Sequence, residues 1–325
     1  MKHVSIYIPK GHYSIVNIEG AHQMLNWVNA YYQQMGKLPL FNIELVGIEK
    51  TSTQNNGLFA IHPQKHIHDV KKTDLIIIPA IHGDLNENLK TNAELIPWLT
   101  KHYKQGSELV SFCIGAFYLA ATGLLDGKPC STHWGYANEF RNMFPKANLM
   151  DDKIMTESNG IYTSGGAYSF TNLLIYLIEK YAGREVAIMV SKGFMVDIDK
   201  NSQSPFIIFT GQKTHDDKDI LGAQHYIENH FKDKITVDDL CNNTNMARRT
   251  FERRFKKATT NTVLEYIQRV KIEAAKKELE FGRKTVNEVM YDVGYNDNKA
   301  FREVFKKITN MTPFDYRNRY TNAVV

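Results

Sequence analysis

The sequence predicts an α/β N-terminal domain, with a mainly parallel sheet covered by helices, followed by an all-α C-terminal domain carrying two helix-turn-helix units. Three observations predict it. Residues 1–197 alternate strand-like apolar runs with helical stretches. The stretch 251–269 recurs at 301–319. The basic excess of the chain lies wholly in its last third.

The alternation begins with "HVSIYIP", a strand, and a helix over 18–35. "FNIELVGI" is a second strand, and "DLIIIPAI" is the unbroken apolar run of a strand buried on both faces. A helix over 88–105, the strand "SELVSFC" and a helix over 114–124 follow. "NGIYTSGG" is a further strand, with helices over 167–182 and 184–197 behind it. Strand and helix taking turns in this way imply a parallel sheet with helices on both sides. Residues 198–217, "DIDKNSQSPFIIFTGQKTHD", break the pattern and read as an interdomain connection whose apolar piece docks on something. The expected domains are therefore 1–197 and 218–325.

With 325 residues, 43% apolar and 23% charged, the chain has the composition of a globular protein of two domains. No apolar run approaches a membrane span, and the start carries no long apolar h-region, so a cytoplasmic location is expected. Three cysteines without CxxC spacing argue against a disulfide frame or a zinc site. The net charge is +5. From Lys218 onward there are 21 Lys and Arg against 15 Asp and Glu, whereas the rest of the chain has 19 against 20. A basic domain joined to a neutral one points to a polyanionic partner.

The repeat gives that partner a form. Phe251/Phe301, Phe255/Phe305, Lys256/Lys306, Thr262/Thr312 and Tyr266/Tyr316 pair at an offset of 50. Upstream, "ITVDDL" pairs with "KTVNEV". Such self-similarity marks a duplicated supersecondary unit. Thr236 with Asp239, and Thr285 with Glu288, have the spacing of capping boxes that open a helix. The two Phe pairs, four apart, lie on a buried stripe. The opposite face of the first unit's second helix carries Arg248, Arg249, Glu252, Arg253 and Lys256. Arginine forks read guanine edges and hold phosphates, and a short helix fits the major groove. Residues 263–280 form an uninterrupted helix of about 27 Å between the units. Including the flanking units, that length is expected to set two recognition helices about one DNA turn, roughly 34 Å, apart.

Residues 220–320 resemble the AraC/XylS-type DNA-binding domain, most specifically at "RRTFERRF", "VGYNDNKAFREVFKK" and "TPFDYR". The resemblance implies base-reading positions at Arg249, Glu252 and Arg253, and at Asn298, Lys299, Arg302 and Glu303, with Lys306 beside them. Two positions depart from the pattern. Ala247 stands where serine usually caps the first recognition helix, and Asn245 stands where a turn glycine is usual.

In the N-terminal part, "SFCIGAFYLAATGLL" places Cys113 between a strand and a helix, with small residues Gly115 and Ala116 behind it. Sharp strand-to-helix turns of this kind expose a nucleophile. The following helix is expected to favour the thiolate, and His133 in "STHW" to serve as base or cationic partner. The stretch "CIGAFYLAATGLLDGKPCSTHW" resembles the class I glutamine amidotransferase-like fold in its ThiJ/PfpI branch, over residues 1–190. Regulators of the AraC type that carry this fold at their N-terminus share the order of both domains. The resemblance implies an acidic partner for the cysteine. That position falls on Asn17, with Glu19 two residues on, which argues against hydrolysis. Gly83, in "PAIHGD", matches a loop whose amide lines an oxyanion-type site. Cys113, His133, Gly83, Asn17 and Glu19 thus mark the expected effector pocket.

His66 and His68 lack further ligands at metal spacing, and neither a P-loop nor a GxGxxG fingerprint occurs, so no metal or cofactor is expected. The expected protein is a DNA-binding transcription regulator without enzymatic activity, acting as a homodimer on promoter DNA under a small-molecule effector. The 198–217 connection is the expected bistable element, with Phe206–Phe209 governing effector response more than bare DNA affinity. The alternatives are a cysteine-dependent hydrolase or glyoxalase-like enzyme, and a redox sensor acting through a Cys113 sulfenate.

Overall fold

The computed structural model describes residues 1–198 and 200–321, which form two units, Met1–Gln203 and Ser204–Val325. The stretch expected to connect the domains is divided between them. Through Gln203 it folds onto the first unit, and from Ser204 it is built into the second. Asp199, within that stretch, lies outside the described residues.

The first unit is a seven-stranded sheet. In chain order its strands are β1 (Lys2–Ile8), β2 (Phe41–Gly47), β3 (Lys65–His66), β4 (Leu75–Ile78), β5 (Glu108–Ser111), β6 (Met155–Ser158) and β7 (Ile161–Ser164). Across the sheet they run β6-β7-β5-β4-β1-β2-β3. All neighbours are parallel except β6, which pairs antiparallel with β7 at the edge. Successive strand residues point to opposite faces. Val4, Ile6, Ile77, Val110 and Tyr162 meet α1 (Ile15–Gln34) on one face, with the later helices α6 (Phe170–Ala182) and α7 (Arg184–Gly193). Tyr7, Ile76, Ile78, Leu109 and Ile161 enter a second layer with α2 (Leu85–Thr91), α3 (Leu95–Lys104), α4 (Ala116–Ala121) and α5 (Ala137–Met143). Burial on both faces is why "DLIIIPAI" shows no alternation.

Three expected helices differ, and the one expected over 184–197 ends at Gly193. The one expected over 88–105 breaks between α2 and α3 at Asn92, which is fully buried. Its side chain accepts from Tyr7 Oη and Lys10 N, both at 2.8 Å, and donates to Lys10 O and Asn88 O. The helix expected over 114–124 starts with a 3-10 turn, Cys113–Gly115, and α4 ends at Ala121.

The second unit is helical: α8 (Lys218–His230), α9 (Val237–Thr244), α10 (Arg248–Thr259), α11 (Val263–Phe281), α12 (Val286–Asp292), α13 (Asn298–Thr309) and α14 (Pro313–Tyr320). Both expected capping boxes form, Thr236 with Asp239 and Thr285 with Glu288. A third, Thr262 with Glu265, opens α11. Asn245 takes the left-handed backbone of the turn, at φ 50°.

Two apolar cores lie along α11. Val263, Tyr266 and Ile267 enter the first, around Phe251 and Phe255; Ile272, Ala275 and Leu279 enter the second, around Phe301 and Phe305. At 3.6 residues per turn these sets lie on roughly opposite sides of the helix. The duplication also reaches further back than the sequence similarity. Ile220, Ala223, Gln224, Ile227 and Glu228 of α8 correspond, 52 residues on, to Ile272, Ala275, Lys276, Leu279 and Glu280 of α11. All but the two glutamates are buried. Tyr266 Oη donates to Glu228, and Tyr316 Oη donates to Glu280. Each unit is therefore a four-helix assembly, and α11 is the last helix of one continued as the first helix of the next.

Candidate nucleic-acid interface and the cysteine elbow

On α10, Phe251 and Phe255 are fully buried, so the helix turns its other side to solvent. Arg248, Arg249, Glu252, Arg253 and Lys256 are all exposed there, as expected. Together with Thr236, Val237, Thr262 and Leu264 they line an open groove. An equivalent groove in the second repeat is lined by Thr285, Val286, Arg302, Glu303, Lys306, Thr312 and Phe314. Lys299 is exposed beside it, and Asn298 is half-buried, its amide donating to Asn287 at 2.7 Å. The exposed apolar residues Leu264 and Phe314, and the capping role of Thr262 and Thr312 behind each groove, were not singled out by the sequence. Their signal was present, because both pairs obey the offset of 50.

The second helices of the two units, α10 and α13, differ in charge and in capping. Glu252 and Arg253 correspond to Arg302 and Glu303, so the order of signs is reversed. Arg248 is held by Asp238 and Glu252, at 3.4 and 3.2 Å. Asp297 caps α13 through the amide of Ala300, at 2.9 Å, whereas Ala247 offers α10 no side-chain cap. Arg254, on the flank of α10, is spent on Asp217 and Asp219.

The elbow lies in the other unit. Cys113 follows β5 with φ at +54°, a conformation costing about 1–3 kcal/mol outside glycine. Gly115 permits it, since a Cβ there would stand 2.5 Å from Pro79 O. Thr132 Oγ1 donates to Cys113 O at 3.0 Å, bringing the "STHW" segment against the elbow. His133 uses Nδ1 to accept from Gly135 N at 3.0 Å, and its burial lowers its pKa. The expected preference for thiolate does not hold: Cys113 is 3% exposed, and burial pushes its thiol up to about 12. Loss of hydration outweighs the single favourable contact with the Ile114 amide. Asn17 accepts from Ala80 N at 3.0 Å, tying α1 to the loop after β4. Glu19 is exposed and so is Gly83, whose φ is +90°. Gln203 donates to Thr132 O and Lys153 O, both at 3.1 Å, and accepts from Gly166 N. Nothing in the sequence singled it out.

Residues 240–319 match the family described as Helix-turn-helix domain, and residues 39–180 match the DJ-1/PfpI family. The HTH-type transcriptional regulator GbdR of Pseudomonas aeruginosa is 22% identical over 309 residues, which cover 94% of this chain and 81% of that one. A putative transcriptional regulator from Vibrio parahaemolyticus shares the fold of the first unit, with TM-score 0.53 and 24% identity over 59% of this chain and 98% of its own. An AraC family transcriptional regulator from Pseudomonas putida does likewise, at TM-score 0.51 and 17% identity over 60% and 100%. The fold of residues 240–319 and the family they match define a helix-turn-helix DNA-binding protein. More narrowly, it is a transcription regulator with a helix-turn-helix domain over residues 240–319 and a DJ-1/PfpI domain over residues 39–180. Among the described residues, no helix is long and apolar enough to cross a membrane.

Proposed function

We propose that this regulator reads two successive major grooves through the exposed faces of α10 and α13, as a cytoplasmic homodimer controlled by a small molecule. The two equivalent grooves on one helical spine carry the reading. Arg248, Arg249, Glu252 and Arg253 serve one half-site, and Asn298, Lys299, Arg302 and Glu303 the other. Lys256 and Lys306 hold phosphates. The test is selection of bound duplexes from a random pool by the full chain, followed by affinity against salt. Counterion release requires a steep fall in affinity with added salt. A flat response, or no enrichment, removes the reading.

The effector site is the surrounding of Cys113 and His133, with Gly83, Asn17 and Glu19 on neighbouring elements. Its role is sensing and not turnover, because a thiol held protonated by burial is a poor nucleophile. Transmission is supported by Gln203, which bonds the same Thr132 that holds Cys113 O and is followed at once by the first residue of the DNA-binding unit. A metabolite library screened by thermal shift on the full chain tests this, with Thr132→Val and His133→Ala as controls. Hits whose shift survives both substitutions place the effector elsewhere.

A further inference from the structure

Residues 205–212 form a strap on the DNA-binding unit. Phe209 packs its ring against Tyr266 at 5.2 Å, edge to face, in the first core. Gly211, at φ +71°, leaves no room for a Cβ beside the Tyr266 hydroxyl. Gln224 donates to Gln212 O at 2.8 Å. At the other end, Tyr320 of the second core donates to Pro205 O at 3.3 Å, and the Arg319 guanidinium lies 4.8 Å over the Phe206 ring. In the middle the strap is pinned to α11. Phe209 N donates to Glu273 at 3.1 Å, and Lys276, 3% exposed and paired with Glu273, donates to Ile207 O.

The two hooks are the same position used twice. Gln224 and Lys276 correspond in the repeat, and each donates to a strap carbonyl. The strap thus crosses from one reading unit to the other, over a helix whose opposite sides serve the two cores. We propose that it is a clasp that fixes the relative placement of the two helix-turn-helix units and so sets the half-site spacing the protein accepts. The proposal rests on the DNA reading above. Tandem modules gain affinity from linkage only when their geometry lets both engage at once. The clasp supplies that geometry, and Lys276 is a positioning residue for DNA reading. This moves the consequence of altering Phe206–Phe209 onto DNA reading itself.

The experiment uses the full chain and a duplex it enriches from a random pool, together with the same duplex with either half-site scrambled. Lys276→Met and Phe209→Ala are compared with the conservative Lys276→Gln and Phe209→Leu. The first two are expected to weaken the intact duplex by about tenfold or more, to leave scrambled duplexes within about twofold, and to tolerate one or two added base pairs between half-sites. The conservative pair restores most of the loss. Equal losses on intact and scrambled duplexes, or none on either, overturn the clasp and leave DNA reading standing. No enriched duplex from the parent chain removes both.

Discussion

Tyr266 Oη donates to Glu228 Oε1 at 2.7 Å while accepting from Gln224 Nε2 at 3.0 Å, closing the first helix-turn-helix unit between α8 and α11. Tyr266 is fully buried, so removing its hydroxyl deletes two hydrogen bonds at once. Tyr266→Phe is expected to cost about 1–3 kcal/mol, measured by denaturant unfolding of the full chain. An unchanged midpoint would mean that water satisfies both groups.

Base reading and phosphate holding separate by salt. Arg253→Ala is expected to cost about 1–3 kcal/mol on the preferred duplex and to relax choice at one base pair. Lys256→Ala or Lys306→Ala weakens all duplexes alike and lowers the slope of log affinity against log salt by about one. Binding titrations at several salt concentrations check both.

The capping difference between the recognition helices is correctable. Ala247 has extended backbone, φ −62° and ψ 138°, suited to a cap. Ala247→Ser is therefore expected to stabilise α10 by about 0.5–2 kcal/mol, and Asp297→Ala to destabilise α13 by a similar amount. Thermal melts of the two variants should move in opposite directions.

Cys113 should resist alkylation. With its thiol pushed up to about 12, iodoacetamide labelling of the native chain, read by mass spectrometry, stays slow at pH 8 and accelerates on unfolding. Rapid labelling of the native chain at neutral pH would restore a nucleophile and the enzyme alternative.

Stability should depend on histidine. Burial lowers the pKa of His102 and His133. The folded chain then holds fewer protons than the unfolded one below the ordinary value of 6.5. The stabilisation is fully present above pH 6.5 and is lost as pH falls toward the lowered folded values. Unfolding midpoints between pH 5 and 8 should rise with pH, and His102→Phe, beside Trp98, should flatten the rise.

The sequence by itself determined what depends on short-range order. Spacing of four put Phe251/Phe255 and Phe301/Phe305 on buried stripes, Thr and an acid three apart made the caps, and the offset of 50 marked two equal units. These signals live within a few residues and survive any packing that keeps the helices amphipathic. The elbow was legible in the same way, from a strand followed by small residues. Tertiary structure alone decided the state of Cys113, because desolvation depends on what the rest of the chain places over the thiol. It also decided that α8 repeats in α11, where only buried faces correspond, and that Asn92 breaks a helix to hold Lys10 and Tyr7. The strap belongs to this second kind. "PFIIF" announced an apolar segment wanting burial, and only the fold could say that Tyr266 and Lys276 would receive it.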